Sequence, residues 1–565
     1  MNLPKLKGAG IALLTLTTLA GCVDDNYDLS DIDTTAGIRV NDLVVPVNID
    51  AVTLGSVIDL KEGESIEIVN GQYAVVKTGD FTSSSVNIRA IAMEAPSIES
   101  TSHDCKLIPG TTNFDISSKP SGFSYRTSDV TDCIVSIEEI GTRWTLTINM
   151  RIRELYNSGA TGVTATVEGL LFVLPKGLTL AHGNENYDPR TGLYHAGKHD
   201  FVNGQLSISI EATSINAIEA GVEYDYATHT ASLEGTCAVH GGTLHLANQG
   251  GYSTLHIDSD YRMSEITATS FTGEIQYDIE GCDFNDVDLS SLPDFLSQTG
   301  TDIRLANPQI YLNVDNPLNR YALTAETGLT ITAFDNGGKR GSYSLDAPGH
   351  FYIDTDPAKR TYDFCLSPTR PDEYYVDGDM QWVGYSALGN VLSGNGIPSR
   401  LEISLDNPKL PVQRVQDLQL GTGLGAVTGK YTFYAPLALA DGSTIAYTGT
   451  MDGWSSEDLD AVTISALTVT ATADSDLPVD AELTAYPIDK EGNRIGDVEI
   501  SGAHLKAMAK GEPITMTMTG TIRMLDGLRY EVRVKQEDSK TLTPEMSIKL
   551  SNVRARVTGE YVKKL

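Results

Sequence analysis

Positive charge is scarce in this 565-residue chain: 41 Lys and Arg stand against 75 Asp and Glu, a formal balance of −34. Nucleic-acid binding needs clustered Lys and Arg to displace counterions from phosphates, so no nucleic-acid partner is expected. Motifs of catalysis are scarce too. Neither a Gly-x-Ser-x-Gly elbow nor a His-Glu-x-x-His helix occurs, which removes two common hydrolase signatures. The six cysteines include no Cys-x-x-Cys spacing, which leaves zinc ribbons and thioredoxin-like redox sites without support. The glycine cluster Gly421 to Lys430 has the wrong spacing for a phosphate loop and carries Tyr431 where Ser or Thr would hold magnesium. No catalytic residue, metal ligand or cofactor is assigned from the sequence.

What is present is a globular composition, 41% apolar and 21% charged, with 52 Gly and with 25 Tyr outnumbering 12 Phe and 3 Trp. That balance fits many turns and strands with one wet face. Period-two alternation recurs from Ile38 to the C-terminus, interrupted by Asn-Gly, Asp-Gly and Gly-Gly pairs, the turn chemistry of antiparallel hairpins. Asn70-Gly71, between Ile66 and Val75, supplies the two positive φ angles of a type I′ turn. The expected fold is therefore mainly β: several tandem antiparallel β-sandwich domains, Ig-like or similar, with a few short helices. Those helices are placed at Leu289–Gln298, Tyr385–Leu392 and Ser455–Leu459. An internal repeat pairs Ile310-Tyr-Leu-Asn-Val-Asp-Asn-Pro317 with Leu401-Glu-Ile-Ser-Leu-Asp-Asn-Pro408. Each copy is expected to end at its proline, which cannot donate to a ladder. The unit resembles the Asn-Pro strand ends of late-embryogenesis-abundant-like β-sandwiches. Boundaries are placed to give a leader at 1–21, a tether at 22–37, and domains at 38–169, 170–285, 286–400 and 401–565.

The N-terminus carries the most specific pattern. Lys5 and Lys7 precede thirteen uncharged, mostly apolar residues, Gly8 to Ala20; a spanning helix needs roughly 20, so the layout is that of a signal peptide. The run ends in Leu19-Ala20-Gly21-Cys22, which resembles the lipobox of bacterial lipoproteins. That resemblance implies a diacylglycerol on Cys22 after cleavage, and an outer-membrane lipid as partner; the alternative is an ordinary signal peptide with an incidental cysteine. After Cys22 come Asp24, Asp25, Asp28, Asp31 and Asp33 with no base before Arg39. This resembles the acidic tether of Bacteroidetes lipoproteins, and Asp24 and Asp25 would then act as the signal for export to the outer face of the outer membrane. A dense run of like charge also stays extended and holds the first folded unit off the lipid. Asp33-Thr34-Thr35 is similar to the Bacteroidetes O-glycosylation sequon. Asp24, Asn26 and Asp28 have the first spacings of a calcium loop but lack its glycine and closing glutamate.

Downstream, three features are candidate sites. With Cys22 acylated, five cysteines remain, and Cys105 with Cys133 is the preferred disulfide across a Ser/Thr/Gly/Pro-rich loop. If Gly241-Gly242 makes a two-residue turn and Asn248 to Gly251 a four-residue one, then His240, His245, Tyr252 and His256 share one face of a three-stranded meander, opposite the core residues Val239, Leu244, Leu246, Leu255 and Ile257. That face is a possible ligand surface. The stretch Asp372, Glu373, Tyr374, Tyr375, Asp377, Asp379 and Trp382 is the best local candidate for a calcium- or sugar-binding loop, against the plainer reading of a solvated acidic turn. Three functions follow. The first is a non-catalytic surface lipoprotein that offers an aromatic face to a glycan or protein. The second is a fimbrial-type subunit in which cleavage after Arg39 frees a strand for exchange. The third is a glycoside hydrolase, which needs a carboxylate pair that 75 acids leave unselected.

Overall fold

The computed structural model describes residues 35–47, 52–53, 55, 66–108, 111–154, 164–247, 252–282, 284–290, 296, 300–335, 338–353, 356–394, 396–421, 423–453, 462–536 and 540–564. The leader, Cys22, Asp24, Asp25 and the expected helix at Ser455–Leu459 lie outside them, as does most of Leu289–Gln298. The chain is mainly β, built from antiparallel sheets stacked in pairs. Among the described residues one α-helix is complete, Ala217–Ala220, capped by Asn216 and closed by Gly221 in the left-handed conformation. The expected segment at Tyr385–Leu392 is a 3-10 turn, Ser386–Asn390.

Three sandwiches share the strands. A twelve-stranded sheet runs through the first two. One half of it, centred on Ile134–Ile152, packs on a seven-stranded sheet around Ala165–Val173 and Thr230–Leu246. Their inward side chains, among them Trp144, Leu146, Ile148, Phe172 and Leu244, form one core. The other half, centred on Ala325–Asp335 and Arg400–Gln419, packs on a six-stranded sheet that includes Gln309–Asp315, Thr361–Ser367 and Thr428–Pro436; Ile310, Leu312, Phe364, Phe433 and Leu401 fill that second core. In the third sandwich the sheet holding Val462–Ser475, Glu512–Ile522 and Ser547–Lys564 faces the sheet holding Val479–Ile488 and Gly527–Gln536. Alternation explains the layering: Ile134–Ile152 buries every second residue from Ile140 to Ile152, unbroken through the shift in pairing between Gly141 and Trp144.

Sheet membership cuts across the expected domain boundaries. The 169/170 boundary falls inside Ala165–Val173, and the 400/401 boundary falls at the start of Arg400–Gln419. Ile266–Asp278 pairs with Arg400–Gln419, Gln72–Thr82 pairs with Thr428–Pro436, and Thr35–Val47 pairs with Ser547–Lys564. Strand pairing joins residues hundreds of positions apart, which a pass along the sequence does not register.

Local turn chemistry is legible where it is strongest. Asn70 and Gly71 have φ of 50° and 78°, and they join Ile66–Val69 to Gln72–Thr82. The repeat divides. In the first copy the strand ends at Asp315, and Asn316 caps a 3-10 turn that starts at Pro317. In the second copy the strand continues through Pro408 to Gln419. Asn407 takes φ 46° at a bulge, the ladder with Ala325–Asp335 shifts there, and the missing donor of Pro408 is tolerated.

Candidate functional site

The expected histidine face does not form. Thr230–Leu246 is a single strand, and Gly241-Gly242 is a bulge in it rather than a turn: Thr243 pairs with Glu168, Gly241 with Leu171 and Val239 with Phe172. Gly242 has φ 155°, and a Cβ there would press on Val167 and Leu170 at 3.2–3.3 Å. His245 belongs to the seven-stranded sheet, and the next described strand, Thr254–Met263, takes His256 into the twelve-stranded sheet; the turn expected at Asn248 to Gly251 lies outside the described residues. Leu244, Leu246, Leu255 and Ile257 all enter the shared core, so the two histidines point to opposite outer surfaces. His245 Nδ1 meets Asn113 Oδ1 at 2.6 Å, and its Nε2 is 3.5 Å from Glu168. His256 Nδ1 is 2.5 Å from Asp104 and its Nε2 3.4 Å from Glu154. His240 is exposed beside the bulge, and Tyr252 packs against the first core instead of facing a ligand. Among the described residues no group of three or more His, Cys, Asp or Glu is arranged to hold a metal ion.

The preferred disulfide is also absent. None of Cys105, Cys133, Cys237, Cys282 and Cys365 is in a disulfide. Cys105 lies opposite Leu255, two residues beyond the position where Ile257 meets Ile152 at the end of Ile134–Ile152; Cys133 lies just before its start. Nineteen residues at ~3.3 Å each put the two thiols at opposite ends of a sheet roughly 60 Å long, far outside the reach of a disulfide. Burial pushes the Cys133 thiol up to about 12 and the Cys105 thiol to about 11, which keeps both protonated and unreactive.

The acidic aromatic stretch is brought together. Thr361–Ser367 and Met380–Gly384 pair in parallel, so residues 368–379 must cross back along the full length of the pair. They cross over the outer face of the six-stranded sheet. Alternation within Gln309–Asp315 and Thr428–Pro436 turns Ile310, Leu312 and Phe433 inward and presents Tyr311 and Tyr434 outward to meet the crossing segment. Tyr375 stacks on Tyr434 with centroids 4.2 Å apart and planes 3° from parallel. Tyr311 meets Tyr374 edge-on at 6.5 Å and Tyr375 at 6.4 Å. The segment is fastened from below: the Tyr375 N–H donates to Tyr311 Oη at 2.8 Å, and the Tyr311 hydroxyl donates to Gln309. Burial holds the Tyr311 hydroxyl far above its ordinary range, so it remains a donor.

Trp382 lies in the same sheet row as Cys365 and Tyr311. Its indole N–H donates to Ser367 Oγ at 3.0 Å, while 41% of the residue stays exposed; Tyr375 is 38% exposed. Polar groups continue the row of outward positions away from the rings: Asn313 donates to Asp363 at 2.6 Å, and Arg360 forks onto Asp315 at 2.5 and 2.8 Å. Asp372, Glu373, Asp377 and Asp379 are exposed around the aromatic group, with Lys359 3.3 Å from Asp379. The arrangement offers flat, immobilised π-surfaces beside hydrogen-bonding groups and an acidic rim. Tyr311 and Tyr434 were not selectable from sequence, because each sits in an ordinary alternating strand and only the parallel crossover brings them under Tyr374 and Tyr375.

No protein-family model matches the chain, and no curated protein matches it. Among solved structures, the chain is similar to a candidate secreted protein from Parabacteroides distasonis, at 12% identity and a TM-score of 0.36 over 51% of this chain and 89% of that one. It is similar to a Bacillus thuringiensis Cry1Da tryptic core variant at 9% identity and a TM-score of 0.12, over 52% of this chain and 59% of that one. Likenesses at these scores carry no argument about what this chain does.

Proposed function

We propose that this chain is a non-catalytic cell-surface lipoprotein, held in the outer membrane through acylated Cys22, that binds glycan on the aromatic face of its second sandwich. The observation that carries the binding reading is the Tyr375–Tyr434 stack, fixed by Tyr311, with the half-exposed Trp382 two strands from Tyr311 in the same sheet row. Aromatic rings held flat at a surface suit the apolar faces of sugar rings, and neighbouring amides and carboxylates suit their hydroxyls. The acidic rim and the overall balance of −34 favour neutral sugars over uronic or sulfated ones, because like charge repels at short range. Affinity electrophoresis against neutral polysaccharides is expected to retard the parent protein. Tyr375→Ala and Trp382→Ala are each expected to weaken retardation about tenfold, since base- or sugar-type stacking contributes on the order of 1–3 kcal/mol per ring. Unchanged retardation in both variants would remove the site.

The strand-exchange reading has one observation in its favour: Thr35–Val47 is an edge strand hydrogen-bonded along Ser547–Lys564. Cleavage after Arg39, however, would remove only the first five residues of that strand, Thr35 to Arg39, and leave Val40 and Leu43 to Val47 in place on their partner. That favours the anchored binding protein over the exchanged subunit.

A further inference from the structure

The sheet that contains the C-terminal strand has one face in the third core and the other in solvent. Ile464, Leu467 and Val469 of Val462–Ser475, and Ile514, Met516 and Met518 of Glu512–Ile522, turn inward. Alternation sends Thr468, Thr470 and Thr472, with Thr515, Thr517 and Thr519, to the opposite face. They stand in register, Thr468 opposite Thr517 and Thr470 opposite Thr515, so hydroxyls and methyls form flat rows ~4.8 Å apart across strands and ~6.8 Å apart along them. On the other flank of Val462–Ser475, the exposed Arg556 stands opposite Thr468 and the exposed Arg554 opposite Thr470. Acids on this face stand at its margins: Asp474 opposite Lys549, Glu560 opposite Thr463 and Glu499 opposite Thr519. In a chain so rich in carboxylate, Ser547–Lys564 is an exception, with Lys549, Arg554, Arg556, Lys563 and Lys564 against Glu560 alone.

The position of this strand supplies the second argument. Thr35 pairs with Lys564, so the first described strand after the tether lies beside the arginine-bearing one. Twelve residues lie between Cys22 and Thr35, so the two can stand at most about 45 Å apart. The sandwich that is last in sequence is thus the one leashed to residue 22.

We propose that this threonine–arginine face docks on anionic lipid headgroups and lays the third sandwich on the bilayer. Its orientation by the leash rests on the anchor reading above; the headgroup contact stands apart from it. A guanidinium grips phosphate oxygens in a fork, threonine hydroxyls add neutral donors, and the flat rows allow both to reach one plane. Screening over ~8 Å at physiological salt leaves the distant carboxylates of the first two sandwiches little weight. The leash raises the local concentration of headgroups without any new contact.

The experiment uses the mature chain with Cys22→Ser, so that no acyl group contributes, co-sedimented with phosphatidylcholine vesicles with and without phosphatidylglycerol. Binding is expected only to the anionic vesicles, weakening as salt rises. It is expected to fall about tenfold in Arg554→Glu/Arg556→Glu and to survive in Arg554→Lys/Arg556→Lys. Arg554→Gln/Arg556→Gln replaces the glutamate pair if that variant fails to melt like the parent. Absence of binding, or equal binding by parent and charge-altered protein, overturns the proposal. So does capture by a sulfated polysaccharide without capture by vesicles, which makes the face a glycan site instead. Mass spectrometry of residue 22 from native membranes tests the anchor separately, and an unmodified thiol there leaves the vesicle result standing.

Discussion

Trp144 and Trp382 solve the same chemical problem in opposite surroundings. Trp144 is 1% exposed in the first core, and its indole N–H donates to Tyr125 Oη at 2.9 Å; Tyr125 in turn donates to the Ser264 carbonyl at 2.6 Å. Trp382 is 41% exposed on the second sandwich, and its N–H donates to Ser367 Oγ at 3.0 Å. Both indoles are satisfied, so hydrogen bonding does not distinguish them. What differs is where the ring's apolar surface goes. Trp144 buries it in the first core; Trp382 leaves much of it in water, two strands from Tyr311 on the same sheet. The comparison separates an aromatic residue that stabilises the fold from one whose surface is available for a ligand.

The largest expected effect breaks the pair apart. Trp144→Ala removes a fully buried ring and leaves a cavity, at a cost of about 3–5 kcal/mol. Urea denaturation is expected to show a midpoint far below the parent's. Trp382→Ala, which empties no core volume, is expected to leave the midpoint nearly unchanged while weakening glycan retardation. Comparable destabilisation by the two substitutions would mean that Trp382 is a packing residue, and the proposed platform would lose its best-exposed ring. A smaller effect tests the polar half of the comparison. Tyr125→Phe preserves the ring and deletes the hydroxyl, which strands both the Trp144 N–H and the Ser264 carbonyl; the expected loss is about 1–3 kcal/mol. A loss near zero would mean that water reaches this part of the core.

The sequence made the period visible but not the partners. The alternation that predicts a mainly β chain also correctly turns Leu244, Leu246, Leu255 and Ile257 inward. It failed at Gly241-Gly242, because the same dipeptide serves a hairpin turn or a bulge, and only the facing strand with Gly169 and Leu170 decides between them. That choice bears on His240 and His245; His256 is parted from both by a change of sheet between Leu246 and Thr254, which no local pattern announces. The Asn-Pro repeat failed in one copy for the same reason: a proline ends a strand unless a bulge removes the need for its donor. Composition singled out the stretch from Asp372 to Trp382, yet the rings that complete it, Tyr311 and Tyr434, arrive through a parallel crossover with no local signature. The domain boundaries required knowledge of pairings such as Gln72–Thr82 with Thr428–Pro436, which no local pattern contains.

The subtlest expectation concerns alkali, and it sharpens the meaning of burial. Burial pushes the hydroxyls of Tyr125 and Tyr187 up to about 12 from an ordinary value near 10. Below pH 10 the native and unfolded chains both hold these protons, and stability does not change on their account. Between pH 10 and 12 the unfolded chain gives them up while the native chain keeps them, so the unfolded state binds fewer protons and stability falls as pH rises. Above about 12 the native hydroxyls ionise as well and the decline levels off. The physical content of the shift is the loss of water around a Tyr125 phenolate in the core; ionised, that oxygen also could no longer donate to the Ser264 carbonyl. Urea midpoints taken from pH 9 to pH 12 are therefore expected to decline across the upper half of that range. Tyr125→Phe, which has no proton to lose at this position, is expected to start lower and decline less steeply. A parallel decline in parent and variant would show that Tyr125 ionises alike in the folded and unfolded chains. Its hydroxyl would then be as wet as a surface group, and the contrast between the buried and the exposed indole would rest on the tryptophan rings alone.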